Sequence, residues 1–288
     1  MATKSNRLEI LKTYKLYIDG KFPRSESGRH YLVKSKNGNG IANACLASRK
    51  DLRDAIVAAR KAQDAWAARS AYNRGQILYR IAEMLEGRKA QFMEEMIAQG
   101  YTVGQATNEL QGSIDRLVHY AGWSDKYQAI FSAVNPVDSS HFNFSVPEAM
   151  GVVGILCEEK SALIGLVSLI APAIVGGNTC VVLSSESKPL CASTFGEVLH
   201  ASDVPAGVVN ILTGSRAELI KTYASHMDVN ALVFDASGES LKTIQSEAAA
   251  NVKRCIHLMD DWSQAKSQSP YHIMNTQEIK TTWHPIGV

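Results

Sequence analysis

AMGVVGILCEEKSALIGLVSLIAPAIVGGNTCVVL, residues 149–183, decides the fold. It opens on a short β-branched run, Val152 to Leu156. A longer apolar stretch, Ala162 to Val175, follows. A second β-branched run, Cys180 to Leu183, closes it. Strands are short and helices run to ten residues or more, so the segment reads strand, helix, strand. Both strands are apolar at successive residues instead of alternating. That marks a parallel sheet covered on both faces.

The same rhythm continues downstream. Val208 to Leu212, Ala231 to Phe234 and Arg254 to Leu258 read as further strands. Pro189 to Ala201, Arg216 to His226 and Glu239 to Ala250 read as helices between them. Right-handed crossovers then predict a doubly wound α/β sheet of the nucleotide-binding type. Upstream, YKLYIDGKF (Tyr14 to Phe22) alternates and turns at Asp19-Gly20, a hairpin signal. Ser48 is placed to cap a helix from Arg49 to Arg69. Asn73 to Gln99 and Val103 to about Ala121 add two more, making a helical layer. Ser139 to Pro147 and Ile279 to Trp283 alternate but stand outside the rhythm. They are expected to pair with each other and project from the body.

Composition narrows the function. The 288 residues are 45% hydrophobic and 20% charged, an ordinary globular balance. Thirty basic residues against 28 acidic ones leave a net charge of +2, so no basic excess points to nucleic acid. The most apolar window, Ser161 to Val175, is shorter than the roughly 20 residues a membrane span needs. Met1 to Leu16 is polar and reads as no signal peptide, so a cytoplasmic protein is expected. Five cysteines, Cys45, Cys157, Cys180, Cys191 and Cys255, are scattered without a CxxC. Reduced, mostly buried thiols are expected, with no metal site.

Several motifs resemble the aldehyde dehydrogenase superfamily. PEAMGVVGI (Pro147 to Ile155), APAIVGGNTCVVL (Ala171 to Leu183) and VPAGVVNILTG (Val204 to Gly214) resemble its cofactor domain. YIDGKF, DLRDAIVAARKAQDAW (Asp51 to Trp66) and HYAGWSDKY (His119 to Tyr127) agree in order. The resemblance implies a Rossmann-like NAD(P)-binding domain, a catalytic domain with a nucleophilic cysteine, and a projecting oligomerisation strand pair. It assigns residues 1–137 and 149–262 to the cofactor-type domain and 138–148 and 276–288 to the projecting strands. The catalytic domain between them is absent on this reading, as in a truncated family member. The degenerate second module of long two-module relatives is a parallel.

The chemistry the family needs is a thiolate nucleophile, a hydride acceptor and a general base. The resemblance places the cysteine downstream of the cofactor domain. No cysteine occurs among the 28 residues after Asp260, and Cys255 lies in an expected strand. HLMDD (His257 to Asp261) stands where the family has its ELGG-like glutamate motif; Asp260 and Asp261 read as loop carboxylates. Lys160 stands at the oxyanion asparagine, in a charged loop with Glu158 and Glu159. No catalytic residue is therefore assigned. For the cofactor, LSSE replaces a KPSE-like motif: Leu183 takes the lysine position and Glu186 matches the glutamate. FDAS replaces FTGS, with Ser237 matching. Asp235 or Ser237 would cap the following helix, and Asp235 would repel a pyrophosphate. Glu186 and Ser237 are the candidate contacts to NAD or NADP. The glycine pair Gly176-Gly177 reads as a helix C-cap.

These losses imply a catalytically inactive assembly or regulatory subunit. It would form a homo-oligomer, or a hetero-oligomer with a full-length aldehyde dehydrogenase. An alternative is an NAD(P)-binding subunit or sensor that works beside a full-length relative. A third is a dehydrogenase whose nucleophile comes from a partner chain.

Overall fold

The chain's first sheet is small. A computed structural model describes residues 10–287, so Met1–Glu9, part of the polar stretch Met1 to Leu16, and Val288 lie outside the described residues. β1 (Thr13–Tyr14), β2 (His30–Lys34) and β3 (Gly40–Cys45) form this sheet in the order β1-β3-β2. The sequence pattern does not announce it, because β2 and β3 are short and carry few large apolar side chains. The Asp19-Gly20 turn forms, with φ of 53° and 69°. That left-handed pair is what a two-residue hairpin turn requires. The expected strands on either side do not. Ile18 and Lys21 make one bridge, at 3.0 and 2.9 Å, and Tyr17 pairs with Ile211 instead.

Four helices and a short fifth come next. α1 (Arg49–Ala67) starts at Ser48, whose hydroxyl accepts from the Lys50 and Asp51 N–H groups. Asp51 returns the bond to the Ser48 N–H at 2.8 Å, completing a capping box. The helix expected over Asn73–Gln99 is two: α2 (Ala71–Gly87) and α3 (Lys89–Ala98). The break is at Arg88, with φ −108° and ψ 16°. Gly87 weakens the helix there, and the Arg88 guanidinium turns to Gln91 and Glu197. The apolar stripe survives the break, since Phe92 and Met96 remain wholly buried. α4 (Val103–Trp123) and α5 (Tyr127–Phe131) follow, then β4 (Ala133–Asn135) and β5 (His141–Ala149).

From there strand and helix alternate: β6 (Val152–Leu156), α6 (Ile164–Val175), β7 (Thr179–Leu183), α7 (Leu190–His200), β8 (Val209–Leu212), α8 (Arg216–Ser225), β9 (Ala231–Phe234), α9 (Gly238–Ala249) and β10 (Arg254–His257). All five strands are parallel, in the order β10-β9-β6-β7-β8. Successive side chains feed two cores. Val153, Ile155, Cys180, Val182 and Val233 meet α2, α4, α6 and α7. Val152, Leu156, Val181, Leu183 and Phe234 meet α1, α8 and α9. Each fully buried aliphatic side chain contributes about 1.5–3 kcal/mol, which is why these strands tolerate no polar face.

After β10 the chain runs through α10 (Tyr271–Met274) to β11 (Gln277–Pro285). β11 pairs antiparallel with β5 from Gln277–Ala149 to Pro285–His141, giving a second sheet in the order β11-β5-β4. Its root is held by Asn178, whose side chain accepts from the Gly151 N–H at 3.0 Å and donates to the Ala173 and Thr276 carbonyls at 3.2 and 3.0 Å. Beside it, Gly176 is the C-cap of α6 and Gly177 takes φ 90°. Among the described residues no helix is long and apolar enough to cross a membrane.

Candidate functional site

The strand order reverses at β6. In open parallel sheets the ligand crevice lies outside the carboxyl ends of the strands at such a reversal. Here that crevice is bounded by Cys157–Lys160 after β6, Ser184–Ser187 after β7 and Asp235–Ser237 after β9.

The charged loop after β6 is tied into the crevice by its first two carboxyl groups. Cys157 is buried, and burial pushes its thiol up to about 12. Glu158 is also buried, and burial raises its carboxyl, opposed by a hydrogen bond from Ser161. Glu159 reaches the next loop. It accepts from the Glu186 N–H at 2.9 Å, the Ser187 N–H at 3.0 Å, and the Ser185 and Ser187 hydroxyls at 2.8 Å each. Burial alone would raise Glu159, but these four donors outweigh it and hold the carboxyl below its ordinary value.

Lys160 is exposed, and its carbonyl rather than its ammonium is engaged, by Lys188 and by the Tyr101 hydroxyl at 3.4 Å. A cavity of about 440 Å³ opens there, lined by Tyr101, Glu109, Lys160 and Lys188. Glu109 closes its inner end. One carboxylate oxygen accepts from the N–H groups of Ala162, Leu163 and Ile164 at 2.8, 2.7 and 3.3 Å. It thereby caps α6 from another helix.

The sequence-predicted cofactor residues are separated. Leu183 is buried inside β7. Glu186 is exposed, with a carboxylate oxygen 3.4 Å from the Arg216 N–H. It lines a cavity of about 490 Å³ together with Glu159, Ser187, Arg216, Ile220 and Ser240. Ser237 is not in that lining. It is the N-cap residue of α9, yet its side chain makes no capping hydrogen bond, and Asp235 makes none either. The expected side-chain cap is therefore not formed. What Asp235 contributes is its carbonyl, which accepts from Arg216 Nη1 at 2.7 Å, while Nη2 donates to the Cys157 carbonyl.

Sequence reading missed Glu109, Glu159 and Arg216. The positions of Glu109 and Arg216 carry no local motif, and their partners are 19 to 59 residues away. Only the adjacency of Glu159 to the Lys160 position could have drawn attention to it.

Burial pushes Cys180 and Cys191 up as well, and it raises Cys255 against the opposing Lys253 charge. Asp261 is exposed and held down by the Ser263 hydroxyl and N–H, an ordinary turn contact. Among the described residues no three His, Cys, Asp or Glu side chains gather as a metal site.

The sheet order, the crevice at β6 and the flanking helical layer define an α/β domain of the Rossmann-like, dinucleotide-binding class. Residues 22–260 match the aldehyde dehydrogenase family, and the chain belongs to it. Retinal dehydrogenase 2 of Gallus gallus is 35% identical over 254 residues, 86% of this chain and 48% of its own length. An aldehyde dehydrogenase of Aspergillus niger is 28% identical over 99% of this chain and 57% of its own. The NAD+ complex of a Bacillus cereus aldehyde dehydrogenase shares the fold, with a TM-score of 0.80 at 23% identity over 85% of this chain and 50% of that one. The chain thus spans about half the length of the curated relatives it matches.

Proposed function

We propose that this protein is a non-catalytic aldehyde-dehydrogenase-like subunit that acts through assembly with another chain of its family. The observation that carries the proposal is the β11-β5-β4 sheet. One of its faces presents Val134, Phe142, Phe144 and Val146 around an apolar groove of about 330 Å³. The other exposes Ile279 and Trp283. Among the described residues no strand pairs with the outer edge of β11 along its nine residues. Such an edge offers main-chain hydrogen bonds to a second strand without needing an active site, and such a face favours burial. On this reading 138–148 and 276–288 are the assembly strands, and Leu258–Thr276 stands in place of a catalytic domain. The free thiols fit a reduced, cytoplasmic setting.

Glu186 in the 490 Å³ cavity favours the second reading, an NAD(P)-binding subunit or sensor. The crevice's own hydrogen bonds weigh against it.

The test is light scattering of the purified chain, alone and co-expressed with a full-length aldehyde dehydrogenase of its host, with an aldehyde oxidation assay. Oligomers and no turnover by the chain alone are expected. Thr281→Pro, placed mid-β11, should dissolve the assembly and leave the parallel sheet folded, as read by circular dichroism. A monomer that captures no relative, or turnover by the chain alone, overturns the proposal.

A further inference from the structure

A dinucleotide brings two negative charges to the crevice and needs cationic groups or free N–H donors to receive them. Three donor sets at this crevice are already engaged by the protein itself; the N–H groups that open α9 carry no side-chain cap. The N–H groups that open α6, the helix after the first strand of the parallel sheet, are taken by the Glu109 carboxylate. The N–H groups of Glu186 and Ser187 are taken by Glu159. The Arg216 guanidinium lies across the reversal itself, with Nη1 on the Asp235 carbonyl after β9 and Nη2 on the Cys157 carbonyl after β6.

The charge balance points the same way. Glu158, Glu159, Glu186 and Asp235 flank the crevice, against two cations, Arg216 and the exposed Lys160. A pyrophosphate entering there meets four carboxyl groups. To recruit the guanidinium it must also strip two carbonyls of their donor, and a buried carbonyl without one is costly. The residues present do not fit NAD or NADP.

We propose that Arg216 and Glu159 form an internal cross-brace that has taken the place of the dinucleotide. Arg216 ties the ends of β6 and β9, and Glu159 ties the loop after β6 to the loop after β7. The crevice is closed to NAD and NADP, and its polar groups serve the stability of the sheet edge. This closure is independent of assembly, so a monomer with a closed crevice and an oligomer with an open one are distinguishable results.

The experiment is titration calorimetry and thermal denaturation of the full chain with NAD and with NADP. Neither is expected to give binding heat or to raise Tm at millimolar concentration. Arg216→Ala should lower Tm by about 4 °C or more, the loss of two charge-assisted hydrogen bonds in a chain of this size. Arg216→Lys should not restore it, because one ammonium cannot reproduce the two-nitrogen fork that spans both carbonyls. Saturable binding of either dinucleotide in the micromolar range overturns the closure. So does an Arg216→Ala variant whose Tm is unchanged, or an Arg216→Lys variant as stable as the parent. Should Arg216→Ala not fold, dinucleotide binding by the unmodified chain still decides.

Discussion

Val252 takes φ 54° while 93% exposed, so a β-branched side chain sits in left-handed backbone with no packing to compensate. Val252→Gly should therefore stabilise the protein by about 1 kcal/mol, read from urea denaturation. Two titrating groups give opposite signatures. Glu159 is held below its ordinary 4.5, so its contribution is fully present above that pH and lost as pH falls through the lower folded value. Glu159→Gln should flatten that part of the acid limb. Lys253 is lowered to about 8 by burial, from 10.5. The unfolded chain then binds the extra proton between those values, so the charged lysine's penalty is relieved as pH rises from 8 towards 10.5. The stability difference between the parent and Lys253→Met should shift in the parent's favour over that window. Thiol-specific reagents should modify the native protein slowly at neutral pH, since burial raises Cys157, Cys180 and Cys191 and denies them thiolate character. Rapid labelling of one buried cysteine would contradict this.

At the scale of elements, the sequence was most legible where one physical demand dominates. Four of the five parallel strands, β6 to β9, are buried on both faces, and mostly apolar runs announce that directly; the edge strand β10 is only partly buried. The pairing of β5 with β11 was readable because both alternate and neither fits the strand–helix rhythm. The N-terminal sheet was not, because β2 and β3 are held by each other and by β1 more than by an apolar pattern. The break between α2 and α3 was hidden because the helical stripe resumes in phase after Arg88. The candidate site was half legible. Leu183 and Glu186 could be placed by position, whereas Glu109 and Arg216 act on backbone groups brought close only by the fold. Asn178 shows the same long reach, joining the starts of β6 and β11 to the end of α6. Asn178→Ala should cost about 2–4 kcal/mol by leaving several of those backbone groups without partners, again measurable in urea.

Across the whole molecule, the segment from Leu258 to Thr276 links the parallel sheet to the projecting one, and it is not slack. Trp262 is buried, and Arg116, only 2% exposed, donates to the Trp262 and Gln264 carbonyls at 3.2 and 3.3 Å and to Ser168 at 2.7 Å. The Tyr120 hydroxyl holds the Ser269 carbonyl at 3.2 Å. Arg116 has no carboxylate partner among its hydrogen bonds, and burial lowers it. Arg116→Met should loosen the segment and raise tryptic cleavage after Lys266 severalfold, seen by mass spectrometry of timed digests. Unchanged cleavage would show that Trp262 alone secures it. The link also sets an order of events in the cell. β5 leaves the ribosome well over a hundred residues before β11, the strand that pairs along its whole length. At ordinary elongation rates that gap lasts on the order of ten seconds. Throughout it the nascent chain displays Phe142 and Phe144 on a strand lacking its long partner, a hydrophobic target for a chaperone until translation delivers the strand that completes the sheet.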